Sequence, residues 1–178
     1  MLVFLDTETT GLDVFSGHEL LSIAVITEWP DGRIERWESL IKPERLDLAS
    51  DKALKINGYC DAIWAMAPTF DEVAPEILSR LEYGGGKMLV GHNVQFDVAF
   101  IRESLKRKGY PHRLAYPMID TITLAHEHLQ PIGLRSMKLD NIRKLMGWSM
   151  EGAHTALADT ETTRRLYHTL IRRSWWDR

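Results

Sequence analysis

Apolar residues are laid along the chain in two rhythms. Residues 2–5 form an unbroken apolar run with β-favouring side chains and read as a buried central strand. Residues 20–29, rich in Leu, Ile and Val, read as a second strand. Pro30-Asp31-Gly32 is a turn signal. Residues 33–41 alternate imperfectly between polar and apolar and read as a third strand. A link this short makes strands two and three an antiparallel hairpin, which Lys42-Pro43 closes.

Beyond residue 43 the apolar period lengthens towards that of a helix. Residues 49–56 predict a short helix ended by Asn57-Gly58. Thr69-Phe-Asp-Glu72 fits a capping box, opening a helix that runs to about residue 83. Gly84-Gly85-Gly86 lacks the Gly-Lys-Ser/Thr of a phosphate loop and precedes a strand, so it reads as a connection. Residues 87–91 are another buried strand. Asn93 is placed to cap a helix over 94–108, ended by Gly109. A short strand at 118–120, helices at 121–129 and 139–146, and a last helix capped by Thr155 and reaching about 172 complete the chain. Three meander strands followed by strand–helix alternation predict an α/β domain with a mixed sheet. A length of 178 residues suits one domain, here taken as the whole chain.

Composition narrows the class without naming a chemistry. The single cysteine, Cys60, excludes an internal disulfide and fits a reducing compartment such as the cytoplasm. No apolar run approaches the roughly 18 residues of a membrane span, and the start lacks the basic leader of a signal peptide. A net charge of −3 does not advertise a nucleic-acid binder, although acidic metal ligands would offset basic side chains elsewhere.

Candidate chemistry gathers at element ends. The end of the first strand carries Asp6 and Glu8, which stand two apart, so both lie on one face roughly 6–7 Å apart along it. Two carboxylates at the end of a buried strand repel and lose hydration, and a divalent metal is the natural compensation. A solvated acidic loop is the alternative. Asp97, in the first turn of its helix, is expected to stay ionised because helix N-termini favour negative charge. His154 and Asp159, five apart, would lie about 140° apart on a helix. With Thr155 as the cap, His154 instead falls in the preceding loop and can fold over the helix start. A surface histidine and one solvated Asp would fit that segment equally well.

Taken together, Asp6-x-Glu8, Gly-His-Asn-x-x-Phe-Asp97 and His154-x-x-x-x-Asp159 resemble the three motifs of the DEDDh (DnaQ-like) 3′–5′ exonucleases, with Thr9-Thr10-Gly11-Leu12 extending the first. The pattern is similar to that of the proofreading (epsilon) subunits of bacterial DNA polymerase III and their stand-alone relatives. The resemblance implies a ribonuclease H-like fold, a five-stranded mixed sheet flanked by helices. It implies hydrolysis of the terminal phosphodiester at single-stranded DNA 3′ ends, releasing nucleoside 5′-monophosphates, with RNA as the alternative substrate and an inactive nucleic-acid-binding module as a remote one. Two divalent ions, Mg2+ or Mn2+, would be held by Asp6, Glu8, Asp97 and Asp159, with Asp6 bridging both and Asp97 acting through water. His154 would be the general base. Thr9, Leu12 and Asn93 match substrate-contacting positions. Asn57 stands where relatives often carry histidine, so a contact there departs from the family's usual residue. A DNA polymerase subunit is a candidate partner, and a membrane is not. Polymerase-bound relatives extend beyond the catalytic domain, so an end just past the last helix favours a stand-alone nuclease or a catalytic domain without its tail.

Three further features also have blander readings. Arg102, Lys106, Arg107, Lys108 and Arg113 would suit a phosphate backbone, but a solvated helix face is commoner. His126 and His128, two apart on a helix, do not face together. The tail Arg172-Arg-Ser-Trp-Trp176 fits nucleic-acid stacking, docking of a partner or, equally, packing on the domain.

Overall fold

In the computed structural model, which describes residues 1–114 and 117–171, the strands are β1 (Leu2–Thr9), β2 (Leu20–Glu28), β3 (Ile34–Leu40), β4 (Met88–Gly91) and β5 (Met118–Asp120). They form one five-stranded sheet in the order β3-β2-β1-β4-β5. The expected hairpin is present: β2 pairs antiparallel with β3 and with β1. The pairs β1–β4 and β4–β5 are parallel, so the sheet is mixed. The helices are α1 (Asp51–Ile56), α2 (Asp61–Trp64), α3 (Phe70–Leu81), α4 (Val94–Arg107), α5 (Thr121–Leu129), α6 (Leu139–Leu145) and α7 (Ala156–Ile171).

Alternation along β1 decides what the sheet presents on each face. Val3 and Leu5 pack with Ile23 and Val25 of β2 against Ala74 and Ile77 of α3 and Val98 and Ile101 of α4. Phe4 points the other way, clustering with Ile26, Val90, Leu157 and Tyr167 of α7. Continuing the two-residue period, Asp6 and Glu8 share the α7 face and Thr7 the α4 face. Covered on both sides, β2 is buried over all but its last residue. Each such aliphatic side chain contributes about 1.5–3 kcal/mol by leaving water.

The first strand carries Asp6 and Glu8 at its end, as expected: pairing with β2 runs through Asp6↔Ala24 and Glu8↔Ser22, with a register shift between Glu8 and Thr9. Two local expectations need correction. The four-residue α2 was not foreseen, being too short to show a period. Its anchor is Trp64, whose Nε1 donates to Leu21 O at 2.9 Å. Asn93 occupies the position before α4 but makes no side-chain cap; its backbone is left-handed (φ 69°) and its N–H donates to Asp120 Oδ1 at 3.0 Å. Thr69, by contrast, forms the predicted capping box with Glu72. The glycine run connects α3 to β4, as expected.

Gly91 joins β4 to α4 at close range. A Cβ there would lie 2.8 Å from Val94 Cβ and 3.0 Å from its Cα, and that backbone cannot yield without moving the turn that carries Asp97. Gly91→Ala is therefore expected to cost about 1–3 kcal/mol in urea unfolding, the range for overpacking a close contact. Unchanged stability would mean that the β4–α4 junction is looser than it looks.

Candidate active site

Three elements bring the acidic residues together. Asp6 and Glu8 project from β1 towards α7, and Asp159 lies in the first turn of α7. One carboxylate oxygen from each lies within 4.8 Å of the other two. Asp97 enters from α4 on the opposite side of β1 and is almost fully buried. Its Oδ1 accepts from the Thr7 backbone N–H at 2.9 Å and from the Thr7 hydroxyl at 2.7 Å. Thr7, between the two acids and facing the other way, thus ties α4 to the strand carrying them.

Without a cation this arrangement is electrostatically costly. Burial, then Asp97, Asp159 and Glu8, push the Asp6 carboxyl well above the usual carboxylate range, with Arg143 pulling back. Burial, then Asp159 and Asp97, push Glu8 up to about 7. Burial pushes Asp97 to about 7 as well, against the hydrogen bonds from Thr7. Burial thus opposes the ionisation of Asp97 that its helix N-terminus favours. A helix terminus contributes about 0.3–1 kcal/mol, whereas full burial shifts a carboxyl by as much as ~3–5 pKa units. Clustered oxygens that resist ionising on their own are the donor set of a hard divalent cation, which prefers carboxylates and water. The residues present fit such a metal.

His154 stands in the loop before α7, as the Thr155 cap implied; the Thr155 hydroxyl accepts from Ala158 N–H at 3.4 Å. It is held at φ 68°, and it and Asn93 are the two non-glycine residues with positive φ among those described. Such conformations concentrate at functional sites. With Glu8, Ser22, Asn57 and Trp64 it lines a cavity of about 330 Å³. Leu12 projects at the tip of the loop after β1, 85% exposed. Thr9 faces inward instead: its hydroxyl is buried and donates to Gly11 O at 2.7 Å, so its side chain shapes that loop. Asn57 braces the same segment, its Nδ2 donating to Thr9 O at 2.8 Å. Asn93 is exposed beside α4.

Several contributors were not anticipated. Thr7 is one. Another is Arg143, which is 1% exposed and donates through Nη2 to Asp159 Oδ1 at 2.6 Å. A signal for it exists in the sequence: Leu139, Ile142, Arg143 and Met146 recur at helical spacing, placing a charge within an apolar stripe. His92, within the second motif, is structural. Its ring nitrogens meet Thr121 Oγ1 at 2.9 Å and Met137 O at 2.6 Å, and burial pulls its pKa down. The basic group on α4 is largely engaged, Lys106 and Arg107 with Glu103, and Lys108 with Glu44 and Asp71. His126 and His128 enter no metal-ligating group among the described residues. The tail at 172–176 lies outside the described residues.

Residues 3–167 match the exonuclease family (RNase_T). The chain belongs to that family. It is 29% identical over 175 residues to the DNA polymerase III subunit epsilon of Aquifex aeolicus, covering 98% of this chain and 82% of that one. Against the same subunit of Treponema pallidum it is 30% identical over 167 residues, covering 93% and 74%. A solved structure of Exonuclease X in complex with 5′ overhanging duplex DNA superposes with a TM-score of 0.69 at 25% identity, covering 99% of this chain and 94% of that one. The fold is ribonuclease H-like, the activity that of an exonuclease, and the acidic group a candidate centre for the divalent metals on which the family depends. No helix among the described residues is long and apolar enough to cross a membrane.

Proposed function

We propose that this chain is a divalent-metal-dependent 3′–5′ exonuclease that removes nucleoside 5′-monophosphates from single-stranded DNA ends, in proofreading or repair, with the whole chain acting as one catalytic domain in the cytoplasm. The observation that carries this reading is the convergence of Asp6, Glu8 and Asp159 oxygens within 4.8 Å beside a cavity lined by Glu8 and His154. The polymerase III relatives support proofreading and a polymerase subunit as partner, and the overhang bound by Exonuclease X supports a DNA end as substrate.

Asp6, Glu8 and Asp159 would hold two divalent ions, with Asp97 assisting from the far side of β1. Those ions, Mg2+ or Mn2+, would supply the Lewis acidity that makes water nucleophilic at neutral pH and offsets charge on the leaving oxygen. His154 takes the proton of the attacking water on its imidazole. Leu12 wedges against the terminal base, while Asn57 and Asn93 line the approach. Thr7 holds Asp97 in place so that the acids keep their relative positions when charged.

The test is a time course on a 5′-labelled single-stranded DNA oligonucleotide with Mg2+, Mn2+ or EDTA, beside matched RNA. A ladder shortening from the 3′ end with either metal, absent in EDTA and faster on DNA, is expected. Shortening from the 5′ end, or equal rates with EDTA, would overturn the reading; faster RNA cleavage would change the substrate.

A further inference from the structure

Two residues of α6 stand behind the site without belonging to any of the three motifs. Arg143 is a full positive charge with almost no exposed surface. Its guanidinium reaches four groups: Nη2 to Asp159 Oδ1 at 2.6 Å, Nη2 to Thr162 Oγ1 at 2.7 Å, Nη2 to Ala158 O at 3.2 Å and Nη1 to Asp140 Oδ1 at 3.3 Å. A planar fork with several acceptors fixes direction as well as charge, which an ammonium cannot do. Asp140 then turns its other oxygen outward: Oδ2 lies 3.5 Å from His154 Nε2. One guanidinium therefore stands between Asp159 and the carboxylate that faces His154.

We propose that Arg143 and Asp140 are positioning residues: Arg143 orients Asp159 by engaging Oδ1, and through Asp140 it sets the ring of His154, so that one side chain of α6 registers a metal-ligating carboxylate against the general base. Engagement of Oδ1 leaves Oδ2 of Asp159 to the cation. With Asp140 beside Nε2, the Nδ1 edge of the His154 ring is the one left to receive the proton of water. Glu8 from β1 and Glu38 from β3 line the same cavity as His154, so Asp140 is not the only acid near the ring, but it is the one that Arg143 holds. Partners one step behind a metal ligand typically change affinity or activity 10–100-fold when lost. The inference rests on the exonuclease reading above, and its test has an arm that needs no turnover.

The first arm titrates Mn2+ into the full chain by calorimetry, without substrate. Arg143→Lys keeps the charge and loses the fork, and should weaken Mn2+ binding about tenfold; Asp140→Asn should leave it within about twofold. Should Arg143→Lys fold poorly, Thr162→Val keeps Arg143 but removes the hydroxyl that receives Nε and Nη2, and about threefold weaker binding is expected. Wild-type affinity in the folded variant overturns the role of Arg143. The second arm measures kcat and KM on the labelled oligonucleotide. Asp140→Asn should lower kcat about tenfold with KM little changed, and should cost nothing further in a His154→Ala background. If the two substitutions multiply instead, Asp140 acts through general packing and its link to His154 is overturned. A wild-type protein that binds Mn2+ but hydrolyses nothing would sink the exonuclease reading alone, and the Mn2+ arm would still decide Arg143.

Discussion

Asp6→Asn is expected to lower exonuclease turnover by at least about 10³-fold and, at the same time, to raise the melting temperature of the metal-free protein. The two effects share one cause. Asp6 stands on the central strand, with like charges at Glu8, Asp97 and Asp159 and little water to relieve them. A neutral amide of the same shape keeps the packing and removes the charge that a divalent cation needs. Losing a metal-ligating oxygen removes several kcal/mol of charge stabilisation from the transition state, and about 4 kcal/mol corresponds to a thousandfold in rate. Removing a carboxyl crowded by three others, which costs the folded state whether it ionises or holds a proton, stabilises by about 1–3 kcal/mol, or some 3–10 °C in a chain of this size. Arg143, the cation nearest the cluster, engages Asp159 rather than Asp6, so Asp6→Asn leaves no orphaned partner. The measurements are a single-turnover rate with Mn2+ and calorimetry in EDTA at pH 8. A variant within tenfold of wild-type activity would remove Asp6 from the chemistry, and a fall in melting temperature would mean that its charge is compensated in the folded protein.

Much of this site is readable from the chain before any coordinates. Asp6 and Glu8 sit two apart at the end of an apolar run, Asp97 follows a strand by one helical turn, and Thr155 after His154 announces a cap. Each rule is local, and each placed its residue in the right element. What stayed hidden depends on partners distant in sequence. The exact end of β1, at Thr9, is set by the register shift in its ladder to β2. The raised pKa of Asp97 comes from burial beneath β1, which works against the helix terminus that the sequence shows. Arg143 reads as one of several charges on a short helix until the opposing face of α7 is in view. That the hydroxyl of Thr9 donates to Gly11 O, while Leu12 projects from the loop tip, is likewise visible only in the fold. Short-range rules therefore place side chains on faces, and only packing decides which of them become charged, buried or free.

Metal-free protein is expected to lose stability as pH rises from 5 to 8, and divalent metal is expected to return it only at the upper end. Unfolded, the carboxyls of Glu8 and Asp97 titrate near 4; folded, both titrate at about 7. Between those values the folded chain binds more protons than the unfolded one, so each step up in pH favours unfolding. The shift of Glu8 from 4.5 to about 7 corresponds to on the order of 3 kcal/mol. The acids share protons, so their contributions do not simply add. His92 works the other way: its pKa is lowered by burial, so its contribution is lost on acidification below about 6.5, where the unfolded ring charges. Three crowded carboxyls outweigh one ring, and the net expectation is a melting temperature ~5–10 °C higher at pH 5 than at pH 8 in EDTA. At pH 8 a metal concentration one hundred times Kd adds about 2.7 kcal/mol by binding only the folded state. At pH 5 protons already occupy the ligands, and the same metal adds little. Calorimetry at both pH values, with EDTA and with Mn2+, reads all four conditions. A metal-free melting temperature that is flat or rises from pH 5 to 8 would mean that the carboxyls are not crowded in solution, and equal metal stabilisation at both values would place the cation on groups other than these.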